Sequence, residues 1–223
     1  MVERLMDFTK SILKGMRVKV HDEGLLIVFC GPSGVGKGTI LQVAKEKNPS
    51  IRYSVSATTR NPRQGEVDGE NYFFKSVPEF KEMIEKHELV EWVEYCGNYY
   101  GTPKKYIEDV LKEGYNVVLE IEVEGAVNIK NMYPDAVTIF VLPPTFEELE
   151  KRLQGRGTES NDAIDRRVER AKKELKLVHR FDYIIMNDDL EKAVCDFNSI
   201  LSAEKLTYKR NKDILIQIGF VED

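Results

Sequence analysis

Six apolar residues, Leu25 to Cys30, run directly into Gly31-Pro32-Ser33-Gly34-Val35-Gly36-Lys37-Gly38-Thr39, and this junction restricts the fold more than any other stretch of the chain. A short unbroken apolar run that ends at glycines is the pattern of a strand buried on both faces. Beyond Lys37, the positions Ile40, Leu41, Val43 and Ala44 read as a helix that Pro49 stops. A strand, a glycine-rich turn and a helix in that order make a phosphate-binding loop. Its glycines let the backbone wrap closely around a phosphate with successive N–H groups turned inward, and the helix N-terminus adds partial positive charge.

Within that loop, Gly31, Ser33, Gly34, Val35, Gly36, Lys37, Gly38 and Thr39 are the expected contacts to ATP. Lys37 reaches the β- and γ-phosphates, and a hydroxyl in the next turn holds Mg2+, directly or through water. The usual hydroxyl residue directly after the lysine is replaced by Gly38, and the hydroxyl comes one position later, at Thr39.

Further buried strands are expected at Val117 to Ile121, Val137 to Leu142 and Tyr183 to Met186. Helices are expected at Lys104 to Glu113, Phe146 to Leu153 and Ala163 to Val178. Strands alternating with helices of this length imply βαβ units and a parallel sheet. The rhythm breaks from about Ile51 to Gly101, where Tyr72-Phe73-Phe74 and Trp92 to Tyr95 flank a helical stretch near Pro78 to His87. That region reads as an inserted α+β subdomain. A smaller interruption is Gly155-Arg156-Gly157-Thr158, between two helices. The expected fold is therefore α/β: a P-loop NTPase core with a parallel sheet flanked by helices, carrying an inserted subdomain and a small lid.

Composition narrows the classes of function. With 42% hydrophobic and 32% charged residues, a packed core is expected rather than disorder. The net charge of −5 argues against a nucleic-acid partner, whose footprint is usually basic. Cys30, Cys96 and Cys195 are widely spaced and form no metal-ligand pattern, so reduced thiols in the cytoplasm are expected. The first nineteen residues lack the apolar core of a signal peptide, and no apolar run is long enough to span a membrane.

Against an acidic background, the arginines of Ser56-Ala57-Thr58-Thr59-Arg60-Asn61-Pro62-Arg63-Gln64-Gly65-Glu66-Val67-Asp68-Gly69 stand out. Arg60 and Arg63 offer planar, multi-donor groups suited to a phosphate dianion. This segment, with Tyr72, Glu91-Trp92, Gly97-Asn98-Tyr99-Tyr100-Gly101-Thr102, Gly155-Arg156-Gly157-Thr158-Glu159 and Asn187-Asp188-Asp189, resembles the guanylate kinase family in content and order over roughly Leu25 to Leu206. The Lys-Gly-Thr order at Lys37 is also that of adenylate kinases.

The resemblance implies transfer of the γ-phosphoryl group of ATP to GMP, with Mg2+ as cofactor. It implies that Arg60, Arg63, Tyr72 and Tyr100 hold the GMP phosphate and that Ser56, Glu91 and Thr102 read the base. The reading suits guanine, whose N1 and N2 donors lie side by side and match an acceptor-only carboxylate. Glu120 and Glu122, at the C-terminal end of the Val117 strand, are expected to contact Mg2+-bound water or the acceptor nucleoside, with Glu122 counted among the GMP-binding residues. Family members often have aspartate at one or both of the positions of Glu120 and Glu122. Arg152, Arg156 and Arg167 are implied to close over the transferring group with Lys37. Asn187 resembles the family's adenine-side contact, with a strand-end cap as the alternative; Tyr72 and Tyr100 have packing as theirs.

The resemblance divides the chain into an N-terminal extension (1–24), a core (25–55 and 102–206, with the lid at about 152–167), a GMP-binding insertion (56–101) and a C-terminal extension (207–223). Ile214-Leu215-Ile216-Gln217-Ile218 reads as a strand, with Val18-Lys19-Val20 as a partner, and Lys209-Arg210-Asn211-Lys212 as a solvated turn. Monomer and homodimer both stay open. So do two rival functions: a P-loop kinase of another phosphorylated acceptor, and a catalytically inactive module binding phosphorylated partners. The intact Lys37 argues against the second of these.

Overall fold

A computed structural model describes residues 23–95, 97–154 and 161–217. Its centre is β1 (Leu26–Cys30), every residue of which is buried. Ile27 and Phe29 point into one core layer and Leu26, Val28 and Cys30 into the other, as period-two alternation requires of a strand covered on both faces. The strand pairs in parallel with β7 (Asn116–Glu120) on one side and β8 (Val137–Leu142) on the other. β2 (Ile51–Tyr53) extends the sheet beyond β7, and β9 (Tyr183–Met186) beyond β8, giving the parallel order β2-β7-β1-β8-β9.

Helices cover both faces, as parallel connections demand. On one face α1 (Lys37–Lys47) and α7 (Leu190–Lys205) pack together, and Phe29 meets Phe197 edge-on at 5.4 Å. On the other lie α3 (Lys104–Lys112) and α4 (Val123–Met132). The sequence reading missed α4; its buried Val123, Ala126 and Ile129 recur every three residues, a sparse stripe. α5 (Phe146–Gln154) and α6 (Asn161–Leu175) share a small core of Leu149, Leu153, Val168 and Ala171. The helix expected up to Val178 ends at Leu175, and Val178–Arg180 is a separate 3-10 turn.

A second sheet, in the order β4-β3-β6-β5, is built from β3 (Ala57–Thr58), β4 (Phe73–Phe74), β5 (Leu89–Tyr95) and β6 (Asn98–Pro103). Against it packs α2 (Val77–Glu85), through Phe80. The start of α2 is set locally: Ser76 and Glu79 form a reciprocal capping box, and Pro78 lies in the first turn.

The C-terminal segment corrects the sequence reading. Tyr208–Gln217 is a helix, α8, rather than a strand; Ile218 and Val18 to Val20 lie outside the described residues. A run of four apolar or neutral residues reads alike at either period, and here the preceding turn decides. Asn211 donates to the Lys205 and Thr207 carbonyls, each at 2.8 Å, continuing the path of α7. Lys209 to Lys212 likewise lie in α8 and not in a turn, with Lys209 and Lys212 exposed as expected; Lys209 pairs with Asp135, and Arg210 donates to the Asp135 carbonyl at 2.6 Å. Among the described residues, no helix is long and apolar enough to cross a membrane.

Candidate active site

The C-terminal ends of β1, β7 and β9 converge where ligands bind in sheets of this type. From β1 the chain enters the glycine loop, whose geometry needs the glycines. Gly31, Gly34 and Gly36 have φ of 148°, 87° and 93°. A Cβ on Gly31 would stand 2.5 Å from the Val141 carbonyl oxygen, and one on Gly36 would stand 2.4 Å from Nδ2 of Asn187. Lys37 Nζ donates to the Gly31 carbonyl at 2.7 Å and to that of Pro32 at 3.4 Å, which keeps the ammonium over the loop. Ser33, Gly38 and Thr39 are exposed, and Val35 is buried.

Val35 is the point where the loop is braced. Its carbonyl accepts from Nδ2 of Asn187 at 2.7 Å and from Nη1 of Arg152 at 3.5 Å. Arg152 also donates to the Asn187 carbonyl at 3.3 Å and, through Nε, to Glu148 at 3.0 Å. The amide of Asn187 is thus spent on the loop itself. Arg167 lies half-buried on α6, and Arg156 lies outside the described residues.

The arginine segment is held equally tightly. Thr58 Oγ1 accepts from the Arg60 amide at 3.2 Å, and Thr59 Oγ1 from the Tyr99 amide at 2.9 Å, which ties the turn to β6. Arg60 Nη2 donates to both oxygens of Glu66, at 2.8 and 3.0 Å, and the Arg63 amide to Oε2 of Glu66 at 2.6 Å. Those bonds hold the Glu66 carboxyl below the usual carboxylate range, with the Arg60 guanidinium the larger cause. The Arg60 guanidinium sits 5.4 Å from the Tyr72 ring, and the rings of Tyr72 and Tyr100 are 6.2 Å apart. Arg60, Tyr72 and Tyr100 therefore form one cluster, with Arg63 exposed beside it. Glu66 was given no role in the sequence reading; its place six residues after Arg60, in the same glycine-containing turn, was the available signal.

Glu91 on β5 and Thr102 on β6 face each other, and the Thr102 hydroxyl donates to Oε1 of Glu91 at 2.8 Å. Burial pushes the Glu91 carboxyl up, and the hydroxyl opposes that shift. Beside them opens a cavity of about 420 Å3 lined by Ser56 and Thr102, by Gly38 and Gln42 of α1, and by Glu120 at the end of β7. That size suits a small ligand. Cys30, buried at the end of β1, donates its S–H to the Ile121 carbonyl at 3.0 Å, and burial pushes the thiol up to about 12.

Glu122, just past β7, pairs with α6 instead of lining the cavity. Its Oε2 accepts from Nη2 of Arg170 at 2.7 Å, and Arg170 Nε donates to Glu174 at 2.9 Å. Nothing in the sequence signals the first contact, which spans 48 positions. Among the described residues no three His, Cys, Asp or Glu side chains cluster to hold a metal ion.

Comparison with known proteins agrees with this arrangement. The family model described as guanylate kinase matches residues 23–204. The chain is 48% identical over 201 residues to the guanylate kinase of Caldanaerobacter subterraneus subsp. tengcongensis, covering 90% of this chain and 98% of that one. It is 50% identical over 190 residues to that of Desulfitobacterium hafniense, covering 85% and 95%. Among solved structures, the crystal structure of guanylate kinase from Anaplasma phagocytophilum matches with a TM-score of 0.67 at 30% identity, over 91% of this chain and 99% of that one.

Proposed function

The chain belongs to the guanylate kinase family, and from that premise we propose that it transfers the γ-phosphoryl group of ATP to GMP, leaving ADP and GDP. One observation carries the reading. A single cavity is lined both by Gly38 and Gln42, from the helix that follows the phosphate loop, and by Ser56 and Thr102, next to Glu91. A donor phosphate chain on the loop and an acceptor base beside Glu91 would meet there.

The acceptor is its own nucleophile, since the GMP phosphate is anionic at neutral pH, so positioning and charge stabilisation are what the protein must supply. Arg60, with Tyr72 and Tyr100 around it and Arg63 beside it, binds that phosphate. Glu66 aims the Arg60 guanidinium without covering all of its donors. Glu91 accepts from the guanine N1 and N2 donors, Thr102 fixes its rotamer, and Ser56 donates to guanine O6. Adenine would leave Glu91 buried against a base without that donor pair, which discriminates strongly. Glu122, just past β7, would have to turn from Arg170 to reach the acceptor.

Lys37 neutralises the β- and γ-phosphates once it leaves its own loop carbonyls. Arg152, Arg156 and Arg167 supply further positive charge at the transferring group. Asn187 keeps the loop in shape from below and stands at the adenine side.

Mg2+ is the metal that suits this site. It keeps several waters and is held by one or two protein groups plus substrate phosphates, not by an all-protein cage. The exposed hydroxyl of Thr39 and the exposed carboxylate of Glu120 fit that modest role. When bound, the ion offsets the negative charge of the phosphates.

The test is a coupled assay of ADP formation with ATP and Mg2+, offering GMP, AMP, CMP and UMP in parallel. Turnover confined to GMP is expected. Turnover with AMP or a pyrimidine nucleotide in its place would discard the base-reading role of Glu91.

A further inference from the structure

The chain leaves the parallel sheet for the second sheet at Ser54-Val55-Ser56, between β2 and β3. Both ends of this crossing are pinned. The Ser54 amide donates to the Val118 carbonyl at 3.0 Å, and the Ser56 carbonyl accepts from the Phe73 amide at 2.9 Å. Val55 between them is buried, while Ser54 and Ser56 both line the cavity, the alternation expected of a chain running extended from one strand into the next. Ser56 has a part in the base reading proposed above, and Ser54 has none. Yet the Ser54 hydroxyl oxygen is buried and has no hydrogen-bond partner among the described residues. The polar groups that share the cavity wall, among them Gln42, Ser56, Thr102 and Glu120, leave it unpaired. A buried hydroxyl without a partner costs folding free energy, and native chains rarely keep one that nothing satisfies. Alanine would fill the same place in nearly the same shape without that cost, so the hydroxyl answers to something other than folding.

We propose that Ser54 is a further acceptor-binding residue, whose hydroxyl forms a hydrogen bond with the purine nucleoside bound in the cavity. This inference rests on the acceptor site proposed above. A serine hydroxyl is one donor with two lone pairs, so it can pair with a base nitrogen or with a sugar hydroxyl. The pinned backbone and the burial of the group hold it in place beforehand. Little freedom is then lost when the bond forms, and most of its free energy appears as affinity. A net neutral hydrogen bond sets the scale of the effect at about three- to tenfold.

Ser54→Ala in the full chain tests it through affinity and stability together. The GMP KM should rise about three- to tenfold, while the ATP KM stays within about twofold. The inhibition constant of guanosine, which competes for the same cavity without a phosphate, should rise by a similar factor. The thermal midpoint without nucleotide should match or exceed that of the parent, because the substitution removes a buried group that has no partner. A GMP KM within about twofold of the parent's would overturn the inference and leave the acceptor site standing. A rise for GMP with none for guanosine would also overturn it, since the hydroxyl would then act at the phosphate. A lower midpoint would assign the hydroxyl to the fold, paired through a buried water, and would overturn it as well. A parent that neither phosphorylates GMP nor binds guanosine would remove the acceptor site and this inference together.

Discussion

The side-chain amide of Asn187, just beyond β9, donates a 2.7 Å hydrogen bond to the main-chain carbonyl of Val35 inside the phosphate loop. Both residues are buried, and Gly36 is so close that a methyl group there would collide with the same amide. The loop is thus shaped by its glycines from within and by a strand 152 residues away from below.

Asn187→Ala should lower folding stability by about 1–3 kcal/mol, the usual range when a buried hydrogen-bond partner is removed. The ATP KM should rise with it, and the GMP KM should stay within about twofold, since the brace acts on the donor loop. Thermal unfolding paired with steady-state kinetics checks both. An unchanged midpoint would reject the bracing role.

Glu91 carries an opposite pair of effects. Burial raises its carboxyl in the folded state, so the native protein binds that proton more tightly than the unfolded chain does. Folding stability contributed by the protonated form is therefore present below the unfolded value and lost as pH rises through the folded one. Glu91→Gln should raise the thermal midpoint at pH 7, and the gain should vanish toward about pH 3, where both states of the parent are protonated. Catalytic efficiency with GMP should fall about a hundredfold, because the amide turns a donor toward the base's own donors. A variant as efficient as its parent would discard the base-reading role.

Arg60→Ala should raise the GMP KM about ten- to a hundredfold, the range for losing a charged hydrogen bond to phosphate, with little change in ATP KM. Equal shifts for the two substrates would sink the acceptor-phosphate assignment. The same variant should let the Glu66 carboxyl rise toward its ordinary range, measurable by NMR titration, because Arg60 is the largest cause of its depression.

Lys37→Met should reduce turnover by at least about a hundredfold while the thermal midpoint stays near that of the parent. The ammonium donates to carbonyls of its own loop, so the fold does not depend on it. An active Lys37→Met enzyme would overturn the phosphate-loop argument.

Whatever depended on contiguous residues was legible in the sequence. The strand, glycine turn and helix from Leu25 to Lys47 are one local unit, and their apolar periods and glycines leave few alternatives. The same holds for β7 and β8, short apolar runs buried almost throughout; β9, also expected as a buried strand, is instead an edge strand with Ile184 and Met186 exposed on one face. The acceptor motif was equally plain, because Thr58, Thr59, Arg60 and Glu66 bond largely within one turn and the adjacent β6. Where the local pattern was ambiguous, the reading failed. Ile214 to Gln217 is apolar enough for either period, and it lies in a helix that Asn211 ties to the preceding turn and Arg210 to Asp135.

The sequence by itself determined which residues exist to bind phosphate and to read a base, since motif chemistry is written in neighbouring positions. Only the tertiary structure decided what those residues lean on. Asn187 and Arg152 meet at Val35, Cys30 holds the Ile121 carbonyl, and Arg170 reaches Glu122, each across a long separation in the chain. The physical reason is that such contacts depend on where whole strands and helices come to rest. That is set by burial of apolar faces summed over the entire core, to which the polar pairs themselves contribute little.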